Sequence, residues 1–248
     1  MKKNSKKNYN PTPKISLKNI TLQWDKTSWI LLLVPILLTI WVYFGKQDFF
    51  YKSFDNLTNL WNQDFYSTGY EYISAFLLMF IVPFIFIKFN FKDKLSDYGF
   101  QKGDIHFGLQ FTLLSFPIIL LLMYIGAGTT DIQNEYPLAK SIVNNTNYFI
   151  IIEIFYLVYY ISWEFLFRGF MLFGLEKKYG ALTAILIQTI PSTIVHIGKP
   201  FGETMGAVLG GLVFGYLALR TRSIYYPFLM HALLGISTDI FVILRLHP

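Results

Sequence analysis

The sequence predicts an all-α, polytopic membrane protein, a helix bundle of about seven transmembrane helices within a range of six to eight. Apolar residues make up 54% of the 248 residues and charged residues 15%. Mean hydropathy is +0.43, and apolar runs recur near the roughly twenty residues that a helix needs to cross a bilayer. No internal repeat of about 20–50 residues is visible, which sets solenoids aside.

Composition also narrows function. The chain has no cysteine, so a disulfide framework, a thiolate metal site and a cysteine nucleophile are excluded. The net charge is +6, but Lys and Arg cluster beside apolar runs. That pattern marks membrane flanks and gives no reason to expect a nucleic-acid partner. H-E-x-x-H, Gly-x-Ser-x-Gly and P-loop patterns do not occur, which removes the common zinc helix, the nucleophile elbow and the phosphate cradle.

Residues 1–28 open as MKKNSKKNYNPTPK, a basic arm with the composition of a disordered cytoplasmic tail. It is not expected to be a signal peptide, because no apolar region follows the first lysines to end at small residues. Residues 29–147 read as membrane-anchoring helices and loops. The first span is Trp29 to Phe44, with Trp24, Trp29 and Trp41 as interfacial anchors. Residues 46–70 are too polar to cross and too aromatic for a plain loop. Phe50, Phe54, Leu57, Leu60 and Trp61 at helical spacing suggest an interfacial amphipathic segment or a packed extramembrane loop. Spans at Tyr72 to Phe89 and Ile105 to Ile125 follow, joined by a basic linker. Residues 148–248 form a core of catalytic type, with spans at Tyr148 to Leu175, Ala181 to Ile197, Thr204 to Leu219 and Ile224 to Leu244.

With the N-terminus inside, fifteen of the 21 Lys and Arg fall on the inner side, five on the outer side, and Arg168 within the membrane. That excess fits a multi-pass protein of the cell membrane with a cytoplasmic N-terminus.

Polar residues within the spans point to a site. Glu164 and Arg168 stand four residues apart in ISWEFLFRGF, on one helix face where they can pair. An ionised group at that depth costs at least roughly 2.5–3.5 kcal/mol, so the pair is either functional or structural glue between helices. Gln188, Ser192 and His196 form a stripe at i, i+4 and i+8. Glu203 opens the sixth span, where a helix dipole favours a carboxylate. Gly206, Gly210, Gly211 and Gly215 form two staggered repeats that let another helix approach. His231 and Asp239 share nearly one face of the last span. A carboxylate can act as general base towards water, while imidazoles orient the water, support an oxyanion or bind metal.

Three of these segments resemble the motifs of the CAAX-protease and bacteriocin-processing family, also called the Abi family. WEFLFRGF is similar to its E-E-x-x-x-R motif, STIVH at Ser192 to His196 to its F-x-x-x-H motif, and HALLG at His231 to Gly235 to its H-x-x-x-N motif. The resemblance spans about residues 140–244. It implies an intramembrane endopeptidase in which a glutamate activates water and two histidines support it. The substrate it implies is a membrane-associated peptide or protein of prenylated or bacteriocin-like type. Glu164, Arg168, His196 and His231 carry over. The first motif Glu is Trp163 here, the Phe is Ser192 and the Asn is Gly235.

The expectation is therefore a catalytic set of Glu164, His196, His231 and Glu203, supported by Arg168, Ser192 and Asp239. Glu203 shares or takes the base role, and Glu164 orients the site through Arg168. No cofactor is expected, and zinc, if bound, would use His196 and His231. The partners are the bilayer and a membrane peptide or protein. The alternative is a non-catalytic binding or immunity protein. Straight spans put His231 in the inner half of the membrane and His196 and Glu203 near its outer surface. A single site then needs tilt, a kink at Pro191, or an extension of two helices around Lys177 and Lys178.

Overall fold

The computed structural model describes residues 24–54 and 62–246. Most of the basic arm, and Leu57, Leu60 and Trp61 of the aromatic segment, lie outside the described residues. The chain is a helical membrane bundle. Six helices are long and apolar enough to cross a bilayer: α1 (Lys26–Gly45), α3 (Gln63–Phe91), α4 (Ile105–Gly126), α6 (Thr146–Tyr179), α8 (Phe201–Thr221) and α9 (Tyr225–Leu246). A shorter apolar helix, α7 (Ala181–Ile194), lies between α6 and α8 in the chain. Two short helices, α2 (Gln47–Ser53) and α5 (Thr130–Glu135), lie in the connections.

Helix starts follow local chemistry. Asp25 caps α1 by accepting from the Ser28 amide at 2.8 Å, Asp104 caps α4 through the Phe107 amide at 3.1 Å, and Asn145 caps α6 through Asn147 and Tyr148. Each cap satisfies amides that the first turn leaves unpaired. Ion pairs tie one end of the bundle together: Lys26 with Asp93, Lys178 with Asp25, Arg220 with Asp104, and Arg222 with Glu176. Capping by Phe107 and the Arg220 guanidinium hold the Asp104 carboxyl below its usual range.

Helix α6 is the hub. Half of its apolar window is buried, against about a tenth for α4 at the periphery. Its core partners are Ile30, Val34 and Trp41 of α1 and Ala75 and Met79 of α3. Tyr72 of α3 stacks on Tyr156 of α6 with centroids 4.9 Å apart. Short α2 packs its buried Phe50 against Tyr70 of α3, so the described part of the aromatic segment is a packed hairpin.

The levels of the helices depart from straight spans. Phe173 of α6 lies beside Gly99 and under the Arg222 guanidinium, at the height of Ile224 just before α9. From Phe173 the helix continues to Tyr179, about 9 Å further at about 1.5 Å per residue. It then turns at Gly180, whose φ of +80 suits glycine. Helix α7 starts from this extended point. The extension around Lys177 and Lys178 brings His196 up only to the height of His231.

The fifth span expected to reach Ile197 ends as a helix at Ile194, so His196 lies in the following turn. Of the glycine repeats, Gly211 and Gly215 face α7, where an added Cβ would lie 2.5 Å from Thr189 Oγ1 and 3.2 Å from Gln188 Nε2. Gly206 and Gly210 meet nothing within 4 Å, so only one stripe is an interface.

Candidate functional site

Glu164 is the buried centre. Its Oε1 accepts from Arg168 Nη1 at 3.1 Å and meets His231 Nδ1 at 2.7 Å. Glu164 is 0% and Arg168 2% exposed. Arg168 also donates from Nη2 to the Gly210 carbonyl at 3.3 Å and lies over the Phe214 ring, so it fastens α6 to α8. The pair sits where α6 widens into a π-helical stretch, Phe165–Phe173, a distortion frequent at functional sites.

A carboxylate at Nδ1 makes that nitrogen the protonated one and leaves Nε2 as the lone-pair atom. His196 is set in the same way, with Nδ1 at 2.6 Å from the Ser192 carbonyl, to which an N–H must donate. Ser192 therefore supports the site through its backbone. The rest of the polar stripe is structural, since Gln188 donates to the Gly211 carbonyl at 2.8 Å and links α7 to α8.

Both imidazoles line a cavity of about 60 Å³, room for a few waters. Trp163 stands against both, edge-on to His196 at 5.3 Å and to His231 at 6.4 Å between centroids. Tyr160 packs on His231 at 4.5 Å. Tyr136, Lys199 and Glu203 line the same cavity, with Lys46 and Glu71 from the first half of the chain. Burial and the nearby Glu203 push the Tyr136 phenol well above its usual range, which keeps it a donor. It donates to Glu203 Oε1 at 2.8 Å.

The structure brings Glu164, Arg168, His196 and His231 together. Glu203 lines the same cavity from the start of α8. It precedes Phe214, a neighbour of the His231 ring, by about 16 Å of helix. Asp239 lies off the cavity, where its carboxyl is within hydrogen-bonding reach of buried Glu153. Sequence reasoning missed Tyr160, Tyr136, Glu71 and Lys46. For Tyr160 a signal existed: Tyr156, Tyr160, Glu164 and Arg168 recur every four residues on one face of α6.

Zinc, which the family resemblance raises, does not fit this donor set. A zinc site takes at least three protein ligands at about 2.0–2.3 Å. Among the described residues no three His, Cys, Asp or Glu side chains converge to hold a metal; the third wall between the imidazoles is indole.

A bundle of membrane-length helices that encloses two oriented imidazoles and a buried Glu–Arg pair defines the class, a polytopic membrane protein with an internal polar site. Residues 145–237 match the family model described as type II CAAX prenyl endopeptidase, Rce1-like, and this supports membership of the CAAX-protease and bacteriocin-processing family. The matched segment contains Glu164, Arg168, His196 and His231. Neither the curated proteins nor the solved structures gave a match.

Proposed function

We propose that this protein is an intramembrane endopeptidase that hydrolyses a peptide bond of a membrane-associated peptide or protein. The observation that supports it most is the 2.7 Å contact between Glu164 and His231 Nδ1 beside a cavity that His196 shares. Nε2 of His231 takes a proton from water as the water oxygen bonds to the scissile carbonyl carbon. The same proton then passes to the amine nitrogen as the C–N bond breaks. Glu164 is a positioning residue that holds the tautomer and stabilises the imidazolium as it forms. His196 orients the water through its own Nε2. Glu203, engaged by Tyr136, is a carboxylate on the substrate's path, and the proton-accepting role expected for it passes to His231. The N-terminus is cytoplasmic in the cell membrane, so the end of the bundle that carries Lys46, Lys199 and Glu203 faces the opposite side.

One observation favours a second reading. Trp163 occupies the position of the family's first motif Glu and fills the wall between the histidines, as suits a protein that holds a membrane peptide without cutting it.

The test is cleavage of single-span peptides by protein reconstituted in liposomes, read by mass spectrometry. His231→Gln and His196→Gln should each lower kcat by about 10²–10⁴-fold, while Glu203→Gln should raise KM more than it lowers kcat. A Glu203→Gln variant as inactive as His231→Gln would return the base role to Glu203. A folded wild-type protein that binds but cuts no peptide would favour the second reading.

A further inference from the structure

We propose that the Tyr160 hydroxyl is the hydrogen-bond donor to the substrate's carbonyl oxygen as that oxygen becomes an oxyanion, a role that rests on the endopeptidase reading. The placement follows from two helices read together. On α9, Gly235 lies one turn beyond His231 and on the same face. A Cβ built at Gly235 would stand 1.8 Å from the Tyr160 oxygen and 2.6 Å from its Cζ. No side chain fits there. The phenol fills the space in which a side chain at position 235 would start, and position 235 is where the third motif carries Asn.

A hydroxyl from α6 thus occupies this point on α9. Tyr160 stands one turn before Glu164 on the same face of α6, and its ring packs on Tyr156, with centroids 4.2 Å apart, and on His231, at 4.5 Å. Tyr160 is only 4% exposed and lines the cavity that both histidines share. In this role Nε2 of His231 takes the attacking water, and a hydroxyl one turn along the same seam meets the oxygen of the carbonyl under attack. A phenol fixed by packing against two rings costs no reorganisation as charge develops, and one such donor contributes about 10²–10³-fold in rate. Substitution at both positions is coupled: a side chain at 235 requires a smaller residue at 160.

Tyr160→Phe removes only the hydroxyl and keeps the ring against its neighbours. The measurement is binding of two peptides of one sequence to the full-length protein in detergent. One carries an ordinary amide and the other a phosphinate in place of the scissile bond, which mimics the tetrahedral, negatively charged intermediate. Tyr160→Phe should weaken the phosphinate peptide about 10²-fold and leave the amide peptide within about threefold. Equal loss of both, or loss of neither, overturns the assignment. A structural role for the ring is separated by Tyr160→Ala, which should lose phosphinate affinity, against Tyr160→Ala with Gly235→Asn, which should recover at least about tenfold because an amide donor returns to the seam. Failure to recover counts against the proposal. Cleavage by wild type without selective loss of the phosphinate in Tyr160→Phe overturns the donor assignment alone, whereas a wild type that cuts no peptide overturns the endopeptidase reading and the oxyanion role with it.

Discussion

Replacing Glu164 by Gln keeps shape and removes charge, and its two consequences separate positioning from packing. The carboxylate is fully buried between Arg168 and His231. Without it the guanidinium, 2% exposed, is a buried charge whose partners, the amide oxygen, the Gly210 carbonyl and the Phe214 ring, are all neutral. Breaking a buried pair in this way costs about 3–5 kcal/mol. The amide also weakens the histidine as a base. Arg168 and His231 both meet Oε1, and Oε2 has no partner among the described residues, so an amide oxygen at that place keeps both contacts while the charge that stabilises the imidazolium is gone. Rate should fall by about 10⁴-fold, the loss seen when a triad carboxylate becomes an amide. Denaturant unfolding in detergent reads the first effect and single-turnover cleavage reads the second. Combining Glu164→Gln with Arg168→Met should restore most of the stability and none of the rate. A Glu164→Gln protein that keeps more than half of wild-type kcat, or a double variant that recovers activity, would refute the dyad.

Metal analysis of protein purified without chelators should return far less than one zinc per chain, and about one per chain would overturn the donor-set argument. Trp163→Ala should cost about 3–5 kcal/mol, because the indole is 2% exposed and packs on Trp41 and Phe167; a loss under about 1 kcal/mol would show that the wall between the histidines collapses freely. Gly211→Ala should destabilise by about 1–3 kcal/mol, since its Cβ meets Thr189 at 2.5 Å. Gly206→Ala, with open space around it, should be neutral or stabilising by up to about 1 kcal/mol. Equal effects at the two positions would contradict the assignment of a single glycine interface.

Much of the bundle was legible because hydrocarbon forces the backbone to satisfy its own hydrogen bonds, so apolar length translates directly into helices. The spans at Ile105 and Thr146 end within a few residues of expectation. Glu164 and Arg168 were legible as a pair because four residues is one helical turn. The contact from Glu164 to His231 was not, because it depends on how far α6 runs past Ile224, and two lysines at 177 and 178 fit a membrane surface as well as an extension. Tyr160 hid among 17 tyrosines, in a helix where aromatic residues ordinarily pack. Its role became visible only through the missing Cβ of Gly235 on another helix. Glu71 and Lys46 lie at span boundaries, where charged residues normally meet headgroups, and only the tertiary packing turns them into the cavity.

The central claim is that water held at His231 is what breaks the peptide bond. It is tested most directly by incubating the reconstituted wild-type protein with single-span peptides in water enriched in heavy oxygen and weighing the products. The account predicts paired fragments, with one heavy oxygen in the new carboxylate, from wild type, and intact peptide from His231→Gln. Intact peptide from a folded wild-type protein, or equal cleavage by His231→Gln, would contradict it.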